Sequence, residues 1–305
     1  MIEPHDMKNL TFPSHGVSCA AWHIPARSEG MTGPSGRPAI VMAHGFAGTR
    51  DTGLLDYAEA FADAGIDAVV FDYRGFGDSE GSPRQHVSFR RQRQDYHAAI
   101  AAARQLPGVD PARIAVWGTS YSGATSSRSP RRTPHRRSGV DDPGHRRTGR
   151  PGAAGPLRRP GSTDAHRRAR LAGQHPCPHQ PCAAPDSGGG PTRIGRDHQH
   201  PGAAEAYTSM AGPTWRNEVC ARTALEIGFN RATGFARRLR SPILVQLGTN
   251  DRVAPAAAAR RTARKAGPLG QLREYPVDHF DVYEGHWQRQ ALADQLGFLK
   301  SALAS

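Results

Sequence analysis

The sequence predicts an α/β fold built on a mostly parallel sheet. Apolar runs of strand length alternate with amphipathic stretches of helix length. Several of the runs are continuous, as in strands covered on both faces. Each major run ends in a turn carrying glycine, serine, aspartate or histidine. At 305 residues the chain suits one large domain.

Taken in order, Val17–Pro25 fits an early antiparallel strand, and Ala39–Ala43 a buried parallel one that leads into His44-Gly45-Phe46. Leu54, Leu55, Ala58, Phe61 and Ala62 recur at helical spacing, with Gly65 as the stop. Ile66–Asp72 reads as the next strand and Phe89–Leu106 as an amphipathic helix with Arg and Gln outward. Ile114–Trp117 is a strand, as are Pro242–Leu247 and the shorter run beginning at Gln271. Ala256–Lys265 and His286–Ala304 read as the last two helices, and Thr214–Leu239 as a helical piece carrying Trp215, Val219, Leu225, Ile227, Phe229 and Phe235. No internal repeat is apparent.

The chemistry-bearing residues stand at strand ends. Gly118-Thr119-Ser120-Tyr121-Ser122-Gly123 follows a short β-branched and aromatic run, the pattern of a sharp strand-to-helix turn that holds an exposed nucleophile in a strained conformation. The usual pattern is Gly-x-Ser-x-Gly, but here Ser122 takes the fifth position and Gly123 follows it. Gly45 lets the backbone approach a substrate, so the N–H groups of Phe46 and Tyr121 are candidate donors to a developing oxyanion. His44 reads as structural. Asp251 leaves one later strand and His279 another. The order Ser120, Asp251, His279 is that of nucleophile, acid and base, with His279 taking the serine proton and Asp251 holding the imidazole tautomer.

On these stretches, together with Asp72-Tyr73-Arg74-Gly75-Phe76-Gly77-Asp78-Ser79, Gly248-Thr249-Asn250-Asp251 and Asp278-His279-Phe280, the chain resembles the α/β-hydrolase family. Within it the likeness is to bacterial serine hydrolases grouped with esterases, dienelactone-hydrolase-like and serine aminopeptidase-like proteins. The resemblance covers roughly residues 15–123 and 203–303. It implies a doubly wound sheet, no cofactor, and hydrolysis of a small-molecule acyl substrate through an acyl-enzyme. It also implies a cap between the later strands, whose apolar residues either line an acyl pocket or pack on the sheet. The family often has Gly where this chain has Asp278, which makes that carboxylate a rival to Asp251. The glycines of residues 72–77 form no phosphate loop; a structural turn is expected, with Asp72 and Arg74 supporting the edge of the site by hydrogen bonds.

The middle of the chain does not belong with its ends. Net charge is +13, which in a uniformly basic chain points to nucleic acid or a membrane. Between Thr125 and Ala203, however, lie 15 Arg and 5 Asp with no Lys or Glu, so this quarter holds most of the surplus. It has no Phe, Trp, Tyr, Met or Asn, and no apolar period. It is expected to be disordered, since it cannot bury enough surface to offset its ordering entropy. A basic nucleic-acid binder needs aromatic platforms or charge on a folded face, so no nucleic-acid partner is expected. The chain is thus divided into 1–123, the first half of the hydrolase domain; 124–202, anomalous; and 203–305, the second half.

A hydrolase needs its nucleophile helix and a core strand in that quarter. Arg, Pro, Ala, Gly and Ser without Lys is what GC-rich DNA yields in a wrong frame. With one base missing near Gly123, permitted codons turn residues 124–134 into Gly-His-Val-Ile-Ala-Val-Ala-Ala-Ala-His-Ala, an apolar helix that completes the family's Ser-Gly-Gly-His. In the other alternative frame, residues 191–200 decode as Pro-Pro-Gly-Ser-Ala-Val-Ile-Thr-Ser-Thr. The segment is therefore read as out of frame, the alternative being a genuine disordered insertion, and the chain as written as a defective hydrolase.

His175-x-Cys177-x-His179-x-x-Cys182 has zinc-like spacing but reads as accidental, so no metal is expected. Four Cys make no disulfide framework in a chain of this length, and Cys220 reads as a core thiol. No signal peptide and no apolar stretch of about 18 residues is visible; a cytoplasmic chain without a membrane partner is expected.

Overall fold

In the computed structural model, the described residues are 7–126, 203–226, 230, 232–254 and 256–304. They fall in one unit, Met1–Arg132 with Pro181–Ser305; the other, Thr133–Gln180, lies outside the described residues. Most of the Arg-rich segment and the zinc-like spacing at 175–182 lie outside them too.

Continuous apolar runs give strands buried on both faces, and the pleat sends alternate residues to opposite cores. In β3 (Arg37–Ala43) and β4 (Asp67–Phe71), Val41, Ala43, Val69 and Phe71 face one cluster, with Tyr96 and Ile100 of α2 (Phe89–Ala103). Ile40, Met42, Ala68 and Val70 face the other, with Phe61 of α1 (Leu55–Asp63) and Leu299 of α6 (Gly285–Ala302). Helices thus cover both faces, as in a doubly wound sheet.

The sheet order is β1-β2-β4-β3-β5, with β1 (Lys8–Ser14) and β2 (Val17–Ile24) antiparallel and β4, β3 and β5 (Val109–Gly118) parallel. A second, parallel pair is formed by β6 (Ile243–Gly248) and β7 (Gly270–Tyr275), with α5 (Ala256–Ala266) packed on it. Among the described residues no strand lies between β5 and β6. The space there is a cleft of about 1160 Å³, walled by Ile114 and Val116 on one side and Ile243 and Val245 on the other. Side chains bridge the two sheets through α6: Trp117 Nε1 donates to Gln295 Oε1 (3.0 Å), and Gln295 Nε2 to Gln246 Oε1 (2.6 Å).

Two expectations need correction. Thr214–Leu239 is not one helix: its described part holds short 3-10 turns at Ala221–Leu225, Ala232–Gly234 and Ala236–Arg238, preceded by α4 (Ala203–Ser209). Pro213 stands directly before it, Gly234 falls inside it, and its apolar residues keep no helical period. Val219 packs into the core, Leu225 is 74% exposed and lines nothing, and Ile227 and Phe229 lie outside the described residues. Cys220 is half-buried rather than a core thiol, whereas Cys19 is the fully buried one.

Asp72 and Arg74 form supports behind the site. Asp72 accepts from the Arg50 backbone and guanidinium (both 2.6 Å), and Arg74 Nε donates to Asp95 Oδ1 (2.7 Å).

Candidate active site

The site is assembled where β5, β6 and β7 end. Past Gly118 the chain turns so tightly that a methyl group there would lie 2.6 Å from Ser122 O. Ser120 then takes φ +51°, the left-handed region that L-residues avoid, with α3 (Ser120–Ser126) starting at it. The side chain is left exposed at the corner. Ser122, where the pattern usually has Gly, is wholly buried and useful there. Its hydroxyl donates to Ala43 O (2.8 Å) and accepts from Thr119 N–H (2.9 Å), tying the turn to the end of β3. Tyr96 of α2 donates to Trp117 O (2.6 Å), fixing the strand just before the turn.

His279, in the loop after β7, reaches this corner. The Ser120 hydroxyl lies 3.0 Å from its Nε2, and its Nδ1 lies 2.7 Å from Asp251 Oδ2, with Asp251 in the turn after β6. The other carboxylate oxygen, Oδ1, accepts from the N–H groups of Val253 (2.8 Å) and Ala254 (2.7 Å). Burial opposes ionisation of Asp251, but the bond from His279 and these two amides outweigh it, holding the carboxyl below the ordinary range. A carboxylate so held takes Nδ1–H and leaves Nε2 as an acceptor facing Ser120.

Asp278 points elsewhere. It pairs with Arg252 (2.8 Å) and accepts from the His279 backbone N–H (2.8 Å), so it touches the main chain of His279 rather than its ring.

The loop after β3 closes the other side. A methyl group on Gly45 would lie 3.2 Å from Ser120 Cβ, so the backbone of residues 45–46 abuts the serine. The rings of Phe46 and Tyr121 meet edge to face at 5.8 Å, which places the two candidate donor residues side by side. His44 is buried beneath, with Nδ1 3.0 Å from Gly45 O and its ring against Tyr73 and Phe76; burial lowers its pKa to about 4, so it is neutral.

Sequence reasoning missed what holds this loop. Tyr207 donates to Phe46 O (2.9 Å), Trp215 Nε1 to Ala47 O (3.0 Å), and Thr214 Oγ1 to Asp51 Oδ2 (2.8 Å). Tyr207 also meets Phe280 edge to face, and Phe280 meets His279. The residues after 203 therefore form part of the site's frame. The return of aromatic residues at Tyr207 and Trp215, after a stretch without Phe, Trp or Tyr, was the available signal.

Comparison with known proteins agrees with this architecture. Residues 34–140 match the family described as serine aminopeptidase, S33. Over 303 residues the chain is 32% identical to the quorum-quenching protein AidA of Acinetobacter baumannii, covering 97% of this chain and 95% of that one. A shorter match, 46% over 103 residues, is to the thiohydrolase aneE of Aspergillus aculeatus, about a third of each chain (34% and 32%). Among solved structures, the α/β hydrolase GrgF from Penicillium sp. superposes with a TM-score of 0.66 at 20% identity, over 98% of this chain and 99% of that one. Est1E from Butyrivibrio proteoclasticus, solved with ferulic acid, gives 0.58 at 12% identity, over 97% and 100%. Among the described residues no helix is long and apolar enough to cross a membrane.

Proposed function

Since the chain belongs to the α/β-hydrolase family, we propose that it is a serine hydrolase cleaving a carboxylic ester or a related acyl bond through an acyl-enzyme. The observation that carries this reading is one line of hydrogen bonds, Ser120 to His279 to Asp251, joining three distant segments at 3.0 and 2.7 Å. In the proposed reaction Ser120 Oγ attacks the substrate carbonyl carbon while its proton passes to His279 Nε2. Asp251 holds the ring and offsets the imidazolium charge. The N–H groups of Phe46 and Tyr121 receive the oxyanion. Collapse of the tetrahedral intermediate expels the leaving group, protonated by His279, and water admitted by the same base releases the acid. No cofactor enters the scheme. The thiohydrolase match makes a thioester the second substrate class to try after simple esters.

The test is covalent labelling. A fluorophosphonate probe should modify the full chain at Ser120, and Ser120→Ala should abolish labelling and ester hydrolysis together. An unlabelled protein that melts cooperatively would reject the assignment.

A second reading has its own support: the chain as written is a hydrolase whose middle is out of frame. The cleft between β5 and β6 is walled by apolar side chains of two strand edges. The long alignment also covers nearly all of both proteins, whereas a long insertion would leave many residues without a counterpart. Compensating single-base changes near codons 123 and 201 fit both. Reading the gene decides it. Restored frames that yield an apolar helix and strand uphold this reading; stop codons or a polar product reject it.

A further inference from the structure

Resting on the serine-hydrolase reading, we propose that Tyr283 is a positioning residue for the nucleophile and acts through Thr119. Ser120 and His279 are carried by separate segments, and nothing in the covalent chain sets their separation. The nucleophile turn is fastened to its own sheet by Ser122 and Tyr96. The histidine loop is fastened to α1 by Tyr57, whose hydroxyl donates to Val282 O (2.5 Å). Neither fastening spans the two segments.

A side-chain hydrogen bond does. The hydroxyls of Thr119 and Tyr283 are 2.5 Å apart. Thr119 directly precedes Ser120, and Tyr283 stands four residues after His279. With the Ser120–His279 bond this closes a ring holding the same two backbone segments at two points. One point sets a distance; two set an orientation as well. Tyr283 itself packs against the core cluster that holds Tyr57 and Phe61, and its neighbour Val282 is held by Tyr57. Burial pushes the Tyr283 hydroxyl up to about 12, so it stays neutral wherever the enzyme works. The hydroxyl bonds Thr119 rather than a reacting atom, and misplacement of a reacting group by about 1 Å costs up to about 100-fold.

The experiment compares Tyr283→Phe, Thr119→Val, the double variant and Thr119→Ser with the parent chain. The readouts are fluorophosphonate labelling rate, kcat and KM on a p-nitrophenyl ester, and melting temperature. Tyr283→Phe and Thr119→Val should each lower kcat and labelling about tenfold with KM within about twofold. The double variant should be no worse than either single one, and Thr119→Ser should recover the rate. Folded single variants that label at the parent rate, or losses that add in the double variant, would overturn the proposal. Loss of melting temperature with unchanged kcat would mark a purely structural bond and overturn it too. A parent chain that folds but takes no label would instead remove the hydrolase reading, and this one with it.

Discussion

Replacing Asp251 by Asn should reduce kcat by roughly 10³- to 10⁴-fold, about 4–5.5 kcal/mol of transition-state stabilisation. The reasoning depends on the two backbone amides behind the side chain. Oδ1 faces the N–H groups of Val253 and Ala254, at 2.8 and 2.7 Å. An amide NH2 cannot face two donors, so the Asn carbonyl must take that place. Its NH2 then occupies the Oδ2 position, 2.7 Å from His279 Nδ1. There it donates, so Nδ1 must accept and the ring proton moves to Nε2, opposite Ser120. The imidazole can no longer receive the serine proton. Because Asn keeps the size and the amide contacts, the melting temperature should change little, separating a wrong tautomer from a broken fold. The assay is steady-state ester hydrolysis and fluorophosphonate labelling at neutral pH, with Asp278→Asn alongside. That second variant loses the Arg252 pair but not the ring contact, and its loss should stay under about tenfold. Asp251→Asn activity within about tenfold of the parent, or an equal loss in Asp278→Asn, would refute the assignment.

Two further outcomes follow from the geometry. Gly45→Ala should slow labelling at least tenfold, because the added methyl would lie 3.2 Å from Ser120 Cβ, which must shift by a few tenths of an ångström to make room. Stability should fall on the acid side. Burial opposes ionisation of Asp67 and Asp251, yet bonds from His23 and Arg37, and from His279 and the backbone, hold both carboxyls below the ordinary 3.8. The folded state thus binds fewer protons than the unfolded chain between the lowered and ordinary values. The stabilisation is complete above about pH 4 and is lost as pH falls through the folded values. Urea melts from pH 7 to pH 2.5 should show this, and Asp67→Asn should cost about 1–3 kcal/mol at neutral pH and flatten the acid limb.

The strands and the sharp strand-to-helix corner at Ser120 were legible because their signals are local. Continuous apolar runs mark buried strands, and the spacing of Gly118, Ser120 and Gly123 marks the corner. The first strand was not read, since Lys8–Ser14 is an edge strand whose buried positions are only Phe12 and the polar Ser14, which donates to Asp95. The stretch after Thr214 is rich in apolar residues but without a helical period, so apolar content there predicts a helix that the backbone does not form. The braces on the site were invisible for a different reason. Tyr207 to Phe46, Trp215 to Ala47 and Tyr283 to Thr119 join residues more than 160 apart in sequence, and no local pattern encodes such a bond.

Where β5 and β6 face each other without a ladder partner among the described residues, each presents a row of main-chain donors and acceptors flanked by aliphatic side chains. Such a rim is a template for any extended peptide, a neighbouring molecule included. Among the described residues, then, the free ladder edges of β5 and β6 are where an added strand, from this chain or another, would pair.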